Sequence, residues 1–369
     1  MPLRILALEP YYGGSHRAFL DGYRRGSRHV LELLTMPARK WKWRMRGAAL
    51  YMSQQVRERK GEFDLLLASD YLDLAALRAL APDALRGVPL VAYFHENQIT
   101  YPLSREDERD YQFGFTNLTT CLAADRVLFN SRYHMESFLE AAADLLGQMP
   151  DFVPDWAPER IRARSDVMPV GVDLGSIDRQ RDQSPPRTGP LTILWNHRWE
   201  YDKGPEAFFE VTAELARSGR EFRLAVTGQQ FRDSPDVFER TRRELADRLE
   251  HWGYVEGRDD YCRVLLGSDV AVSTARQEFF GISAVEAAYA GCAPLLPDRL
   301  SYPELVPPEW HETCLYADGA DLYRRLAHWT EHPEEARSVD LREAFGRFGW
   351  DRVAPRLDDV LQRVHGGGP

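Results

Sequence analysis

Glu278-Phe-Phe-Gly-Ile-Ser-Ala-Val-Glu286 decides the fold, because a strand, a loop and a helix follow one another around this stretch. Residues 270–274, Val-Ala-Val-Ser-Thr, are predicted as the end of a buried strand, and residues 282–289 as a helix. The unpaired N–H groups at the start of that helix, near Gly281, favour phosphate. Carboxylates before and within the helix suit hydroxyl groups on either side of it. A sugar nucleotide has this order of groups, although a surface helix with two acids has the same pattern.

A second strand-to-helix loop carries two cations. Residues 191–195, Leu-Thr-Ile-Leu-Trp, are predicted as a strand, and Arg198 and Lys203 follow it. Open α/β sheets bind ligands at such loops. An arginine fork and a lysine point charge together suit a diphosphate leaving group. The alternative is a solvated loop in which Glu200 and Asp202 pair with the two cations.

Composition restricts the classes of protein. The 369 residues suffice for two domains, and 44% hydrophobic and 28% charged residues are typical of a globular protein. No apolar run approaches the roughly 18 residues that span a bilayer, so no membrane association is expected. Four cysteines without paired spacing argue against a zinc site or disulfides and favour the cytoplasm. The net charge of −10 argues against general coating of nucleic acid, though not against a local basic surface.

Predicted strands alternate with helices, which indicates an α/β protein with parallel sheets. The boundaries predict an N-terminal domain over residues 1–175 and a C-terminal domain over residues 190–344, joined by a proline-rich linker. The predicted strands of the two domains are residues 3–8, 64–68, 90–94, 126–129 and 165–172, then 191–195, 223–227 and 269–273.

The first domain has two candidate ligand loops. Gly13 and Gly14 follow the first predicted strand, where they either let the backbone approach a ligand or form a tight turn. His95 follows an apolar strand beside Asn97 and Gln98, so we expect a polar site at the carboxyl edge of the sheet.

Residues 37–46, Pro-Ala-Arg-Lys-Trp-Lys-Trp-Arg-Met-Arg, concentrate cations and two tryptophans in an otherwise acidic chain. Cations contact phosphates and aromatic rings stack on unpaired bases, so single-stranded or looped RNA is one predicted ligand. The alternative is an amphipathic helix with Trp41 and Trp43 in the core and solvated cations.

Taken together, these motifs resemble the donor half of the large retaining glycosyltransferase family with the GT-B fold. The resemblance covers residues 191–306 and ends in Ser301-Tyr-Pro-Glu304. It implies two Rossmann-like doubly wound domains that face each other across a cleft, with the C-terminal helix 345–364 packing back on the first domain. It also implies roles for the donor-site residues: Arg198 and Lys203 on the diphosphate, the Gly281 and Ile282 amides on phosphate, Glu278 on the sugar and Glu286 on ribose, with Tyr254, Phe280, Gly13 and Gly14 as further donor-binding residues.

Finer motifs resemble the tRNA-queuosine mannosyltransferase group within that family. They are Tyr12-Gly-Gly-Ser-His16, Pro37-Ala-Arg-Lys-Trp41, Trp43-Arg44, His95-Glu-Asn-Gln98, His197-Arg-Trp-Glu200 with Asp202-Lys203, His251-Trp-Gly-Tyr254 and Glu278-Phe-Phe-Gly281. The resemblance implies transfer of mannose from GDP-mannose to queuosine at the wobble position of an aspartate tRNA. It implies His95 beside the transferred sugar, so His95, Arg198, Lys203 and Glu278 are the predicted catalytic residues. The predicted acceptor-binding residues are Ser15, His16, Lys40, Trp41, Trp43, Arg44, Asn97 and Gln98.

The resemblance also implies a retaining mechanism without a metal or other cofactor. The acceptor attacks from the front face while the departing diphosphate helps to deprotonate it. The chain has no Asp-x-Asp pair, so Arg198, Lys203 and the helix end at Gly281 are expected to replace a metal. The alternatives are a lipid or small-metabolite acceptor, a non-catalytic RNA-binding protein, and a nucleotide-sugar epimerase.

Overall fold

Two six-stranded parallel sheets organise the chain, each within its own unit. The computed structural model describes residues 1–102, 110–231 and 234–367. The first unit comprises Met1–Gly171 and Trp350–Pro369, and the second comprises Val172–Gly349. The predicted α/β class is confirmed. None of the described helices is long and apolar enough to cross a membrane.

The sheet of the first unit has the strand order β2-β1-β3-β4-β5-β6. Strands β3 and β4 are buried along their whole length, as expected for a sheet that helices cover on both faces. The strands are β1 Arg4–Tyr12, β2 Val30–Pro37, β3 Leu65–Ser69, β4 Leu90–Phe94, β5 Arg126–Phe129 and β6 Ser165–Val167. The helices are α1 Gly14–Gly26, α2 Trp41–Glu58, α3 Leu74–Leu80, α4 Tyr111–Ala123, α5 Arg132–Gly147, α6 Ala157–Arg162 and, at the chain's end, α17 Trp350–His365.

The second unit has the strand order β12-β11-β10-β7-β8-β9. Its strands are β7 Leu191–Asn196, β8 Phe222–Thr227, β9 Leu249–Gly253, β10 Val270–Val272, β11 Ala293–Pro297 and β12 Leu315–Tyr316. Its helices are α7 Gly175–Arg181, α8 Pro205–Arg217, α9 Val237–Glu244, α10 Arg258–Gly267, α11 Ile282–Ala290, α12 Tyr302–Leu305, α13 His311–Cys314, α14 Gly319–Glu331, α15 Pro333–Ser338 and α16 Arg342–Gly346.

The strand order reverses once in each sheet, and this reversal marks the expected ligand edge. In the first sheet it falls between β1 and β3, and in the second between β7 and β10. Loops at the carboxyl ends of such strand pairs diverge to opposite faces and leave a crevice for ligands. We therefore expect the ligand-binding residues to lie in the loops after β1, β3, β7 and β10.

The segment expected to link the domains belongs to the second unit instead. The unit boundary falls between Gly171 and Val172, before the predicted linker. Arg187 donates to the carbonyls of Ser268 and Gly291 at 2.8 and 2.7 Å, so the segment before β7 is fastened to the second unit. A proline-rich composition indicated an absence of regular structure but not this packing.

The last helix belongs to the first unit but starts later than the predicted residue 345. Phe345 lies in α16, and α17 begins at Trp350. The Trp350 ring lies against two glycines: a Cβ at Gly22 would come within 2.0 Å of it and one at Gly171 within 2.4 Å. Buried Asp358 accepts hydrogen bonds from the Tyr23 hydroxyl, Ser27 Oγ and Arg28 N at 2.7, 2.6 and 2.8 Å. These contacts fix α17 against α1.

Candidate active site

The loops after β7 and β10 bring together a cation and a carboxylate that are 75 residues apart in sequence. Lys203 is 9% exposed, and its Nζ donates to the Gln277 carbonyl at 3.0 Å and to Glu278 Oε2 at 3.3 Å. It also lies 3.1 Å from Asp202 Oδ2. Burial alone would lower the pKa of Lys203, but the two carboxylates raise it, so the ammonium stays charged. Lys203 and Glu278, which the resemblance assigns to the diphosphate and to the sugar, therefore lie in contact within the second unit, and their roles stay predictions.

Arg198 differs from Lys203 in exposure. Its side chain is 48% exposed, and Nη2 lies 3.0 Å from Glu200 Oε2. The ion pairs with Glu200 and Asp202 that formed the alternative interpretation are thus present, yet they leave much of the Arg198 guanidinium accessible. An exposed cation beside a buried one can contact two sides of an anion.

The N-terminus of α11 is built around a glycine that no other residue can replace without strain. Gly281 has a φ of +105°, and a Cβ there would lie 3.1 Å from Leu305 and 3.2 Å from Tyr302. Ser301 Oγ holds the preceding loop by donating to the Phe280 carbonyl at 2.9 Å. Phe280 is buried, whereas Ile282 at the first helical position is half-buried. The first N–H groups of α11 carry no intrahelical partner and attract anions.

Glu286 lies one turn into α11 and already has two partners. Arg258 Nη1 donates to Oε1 at 2.5 Å, and the Tyr261 hydroxyl donates to Oε2 at 3.0 Å. Asn196, at the end of β7, donates to the Tyr261 hydroxyl at 3.0 Å. Burial opposes the charge of Arg258, but Glu286 raises its pKa. A ribose hydroxyl at Glu286 would therefore join a carboxylate that is already oriented.

Sequence reasoning missed Arg258 and Tyr261. The two residues stand three apart at the start of α10, so they share one face of the helix. That spacing was a signal available in the sequence, but nothing in it indicated that this face meets α11. The predicted donor-binding Tyr254 lies in the loop between β9 and α10 and is 62% exposed.

In the first unit, the loops after β1, β3 and β4 assemble a buried polar cluster. His16 Nδ1 lies 2.9 Å from Glu9 Oε2, and the His95 ring centroid lies 4.2 Å from that of His16. Ser69 donates to Glu9 Oε1 at 3.0 Å, and Asp70 Oδ1 accepts from the His95 backbone N–H at 2.9 Å. The predicted His16 and His95 are thus adjacent, while Glu9, which lies within β1, and Asp70, which follows β3, were not predicted.

The two histidines differ in their protonation state at neutral pH. Burial alone would lower the pKa of His16, but the Glu9 carboxylate raises it to about 9, so His16 is a cation at neutral pH. Burial and the neighbouring His16 charge hold the pKa of His95 well below its usual range, so His95 is neutral. Burial raises the pKa of Asp70 to about 8. Neutral His95 can accept a hydrogen bond from a ligand hydroxyl or donate one to it. His16 is held by its ion pair with Glu9 and supports the neighbouring His95 ring.

A metal ion is a second candidate occupant of this cluster. Ligand atoms of Glu9, His16 and His95 lie within 4.8 Å of one another. His16 Nδ1 is engaged by Glu9, and its raised pKa means that a metal would have to displace a proton. The donor set therefore fits an ion pair better than a metal site.

The predicted acceptor residues near these loops have different environments. Gly14, with a φ of +52°, and Ser15 are exposed at the start of α1, and Gly13 is half-buried. Gln98 is half-buried and donates to Glu96 at 3.0 Å. Asn97 corrects the sequence interpretation, because it is fully buried. Its Oδ1 accepts from the N–H groups of residues 99 and 100, so Asn97 holds the turn instead of facing a ligand.

The basic aromatic segment leads into α2, and its two tryptophans differ. Trp41 is half-buried, with its ring centroid 5.1 Å from that of Phe113, whereas Trp43 is 75% exposed. Lys40 precedes the helix with a φ of +53°, an uncommon conformation for a residue other than glycine. Arg44 donates to the Pro37 carbonyl at 3.1 Å. Trp41 therefore packs against the protein, as the amphipathic-helix alternative expects. Of the two tryptophans, Trp43 is the one exposed enough to stack on an unpaired base.

Comparison with known proteins gives two family matches that together span most of the chain. A model of the tRNA-queuosine alpha-mannosyltransferase N-terminal region matches residues 4–172, and a model of glycosyl transferases group 1 matches residues 176–343. The tRNA-queuosine alpha-mannosyltransferase of Drosophila melanogaster is 34% identical over 371 residues, covering 97% of this chain and 96% of that protein. The GDP-mannose:cellobiosyl-diphosphopolyprenol alpha-mannosyltransferase of Xanthomonas campestris is 25% identical, over 57% of this chain and 54% of its own.

Solved structures share the fold across both units. Sucrose-phosphate synthase from Thermosynechococcus elongatus superimposes with a TM-score of 0.73 at 17% identity, covering 99% of this chain and 100% of that one. Anabaena HepE in complex with UDP gives a TM-score of 0.69 at 16% identity, covering 97% and 99%. These likenesses confirm the GT-B fold that the sequence motifs predicted.

Proposed function

The chain belongs to the tRNA-queuosine alpha-mannosyltransferase family, and we propose that it transfers mannose from GDP-mannose to queuosine at the wobble position of tRNA-Asp. It is a glycosyltransferase. The observation that carries the proposal is the 34% identity to the Drosophila enzyme over 97% of the chain. The match of the first unit to the N-terminal model of that family supports the same acceptor.

The second unit supplies the groups that a sugar diphosphate requires. Lys203 is a buried cation with a raised pKa, Arg198 is an exposed cation, and the first N–H groups of α11 begin at Ile282. In this proposal they hold the diphosphate, while Glu278 accepts a hydrogen bond from a mannose hydroxyl and Glu286 accepts one from ribose. Tyr254 is exposed beside β9 and would contact the guanine base.

The reaction proposed here retains the anomeric configuration. The bond between the anomeric carbon of mannose and the diphosphate oxygen breaks while a queuosine hydroxyl oxygen bonds to the same carbon from the same face. The acceptor proton passes to the departing diphosphate. The protein contributes position and stabilisation of the leaving charge, a role for Arg198, Lys203 and the amides of α11.

His95 and His16 take separate roles in the first unit. Neutral His95 can accept from one sugar hydroxyl and donate to another, because its low pKa keeps it uncharged. His16 keeps its charge through Glu9 and orients the neighbouring ring. We assign His95 to the transferred sugar and His16 to positioning.

The proposal includes catalysis without a metal and work in the cytoplasm. Lys203 and Arg198 supply positive charge at the place where a metal would otherwise balance the diphosphate. The four cysteines are buried thiols without disulfides, which suits a reducing compartment.

Product analysis tests the proposal directly. The protein is incubated with radiolabelled GDP-mannose and total tRNA from cells that either make or lack queuosine, and the nucleosides are then separated. We expect label in queuosine from the first tRNA pool only, and no transfer from UDP-glucose. Label in a lipid extract in place of tRNA would favour the lipid acceptor, and transfer to queuosine-free tRNA would refute queuosine as the acceptor.

A further inference from the structure

Helix α2 exposes one face along its full length. Trp43, Leu50 and Tyr51 on this face are 75%, 66% and 54% exposed, and Gln54 and Arg57 continue it. Leu50, Tyr51, Gln54 and Arg57 follow Trp43 by seven, eight, eleven and fourteen residues, a spacing that keeps all five on one side of a helix. We call these five residues the outer face of α2.

The opposite side of α2 fixes its orientation. Met45, Ala48, Ala49, Met52 and Val56 are at most 3% exposed and pack into the core of the first unit. The outer face therefore cannot turn inward to bury its aromatic rings. Single exposed apolar residues are ordinary, but Trp43, Leu50 and Tyr51 share one side of one helix, which points to a contact surface.

The charge around this face opposes that of the whole chain. Residues 39–60 contain eight lysines and arginines and one glutamate, a net charge of +7, whereas the chain as a whole has −10. A basic stripe on an acidic protein is the electrostatic footprint of a phosphate-rich partner.

Cations are available at both ends of the outer face. Arg46 pairs with Asp110 and Arg59 with Glu32, so these two serve the fold. Lys42 near the start, and Arg57 and Lys60 at the end, are exposed. Fifteen residues separate Lys42 from Arg57, which is about 22 Å along a helix. Between the two ends lie the flat apolar surfaces of Leu50 and Tyr51.

We propose that the part of the outer face from Leu50 to Arg57, together with Lys60 just beyond the helix, binds the double-stranded stem next to the anticodon loop. This inference rests on the proposed function, and it leaves the loop itself to Lys40, Trp43 and Arg44, which the sequence predicts to bind the acceptor. Arg57 and Lys60 contact stem phosphates, and Tyr51 and Leu50 lie against ribose. Such recognition follows backbone shape and is independent of base sequence, as is usual for double-stranded RNA.

The experiment measures binding of the stem and binding of the anticodon loop separately. Arg57→Gln with Lys60→Gln removes the two distal cations, and Arg240→Gln with Arg243→Gln on the exposed side of α9 is the matched control. Binding is measured against salt for a whole queuosine-containing tRNA and for a heptanucleotide of its anticodon loop. We expect tRNA affinity to fall about tenfold and the log–log salt slope to fall by about two, with heptanucleotide binding and thermal stability unchanged. The control should match wild type.

The outcomes distinguish this inference from the proposed function. An unchanged tRNA salt slope in a variant that still mannosylates queuosine overturns the stem contact alone. A wild-type protein whose tRNA binding has no salt dependence and which transfers no mannose to queuosine overturns both. A protein interface is the competing use of this face: a dimer in light scattering that Leu50→Asp converts to a monomer would overturn RNA docking there.

Discussion

At the scale of single residues, a substitution of Arg198 is a cleaner test of the diphosphate site than a substitution of Lys203. Lys203 is buried between Asp202 and Glu278, so its removal leaves two carboxylates uncompensated and threatens the fold. Arg198 is half-exposed, and its guanidinium lies beside Glu200. Loss of activity in an Arg198 variant therefore reports on chemistry and not on stability.

We predict that Arg198→Ala lowers kcat roughly a hundredfold, because removing one donor to a developing charge costs about 3 kcal/mol. The measurement is single-turnover transfer to queuosine-containing tRNA, with the melting temperature as a check on folding. Arg217→Ala, an exposed cation in the last turn of α8, is the control and should keep wild-type turnover. Turnover of Arg198→Ala within a factor of two of wild type would remove Arg198 from the diphosphate site.

His16 gives a pH dependence of stability with a defined sign. Its pKa is about 9 in the folded protein and 6.5 without the fold, so folding favours the protonated form. The stabilisation is complete below about pH 6.5 and is lost as the pH rises through 9, and its size is about 3 kcal/mol. We predict that the stability difference between wild type and His16→Gln is largest near pH 6 and small at pH 10, as measured by urea unfolding. A difference independent of pH would contradict a charged His16.

A site residue could be predicted from the sequence when its own loop determines its position. It could not when its position depends on a contact with an element far away in the sequence. The positions of Arg198, Lys203 and Glu278 were predictable because the strand that precedes each loop fixes its place at the edge of the sheet, whereas their roles stay predictions. Arg258 was not, since its contact with Glu286 depends on how α10 packs on α11. Asn97 was misjudged because an amide that caps a turn and one that faces a ligand occur in the same sequence context.

At the scale of elements, Gly281 is the residue on which the anion site at α11 depends. We predict that Gly281→Ala lowers the free energy of unfolding by about 1 to 3 kcal/mol, because a φ of +105° strains any side chain. Contact of the new methyl with Leu305 and Tyr302 would move the first N–H groups of α11 and weaken GDP-mannose binding, measured by calorimetry. Gly319→Ala at the start of α14 meets no neighbouring atom and should be neutral. Unchanged donor affinity in folded Gly281→Ala would contradict an anion site there.

Strands could be predicted from the sequence where both faces of the strand are buried, because such strands consist largely of apolar residues. β3 and β4 are apolar except for Ser69, and β7 is apolar except for Thr192 and Asn196, so their pattern indicated a covered parallel sheet. β11 went unpredicted because Pro294 and Pro297 interrupt it, and proline is unusual inside a sheet. β2 is an edge strand of its sheet, with both exposed and buried positions, so its pattern was ambiguous.

At the scale of the whole molecule, metal independence is a prediction about the reaction. We expect full transfer activity after dialysis against excess EDTA, because protein cations and helix N–H groups are assigned the leaving charge. The Glu9, His16 and His95 cluster offers the site that a metal would use among the described residues. Activity lost in chelator and restored by magnesium, manganese or zinc would contradict the prediction, and its loss in His16→Gln would then identify the ion's site.

The division into two units predicts separable defects. Lys40→Ala with Arg44→Ala, in the first unit, should weaken tRNA binding and lower its log–log salt slope by about two, while GDP-mannose affinity stays at the wild-type value. Arg198→Ala, in the second unit, should impair donor use and leave the tRNA salt slope unchanged. Trp43→Ala is the matching aromatic test, because Trp43 is 75% exposed whereas Trp41 packs against Phe113.

Arg240→Ala with Arg243→Ala on α9 controls for the loss of two surface cations and should alter neither measurement. The charges removed in each variant lie within one unit, so each defect should stay separate as long as that unit keeps its own fold. If the Lys40 and Arg44 variant is folded and binds tRNA with the wild-type salt slope, the segment before α2 and its first turn are structural. The RNA must then bind to a different surface.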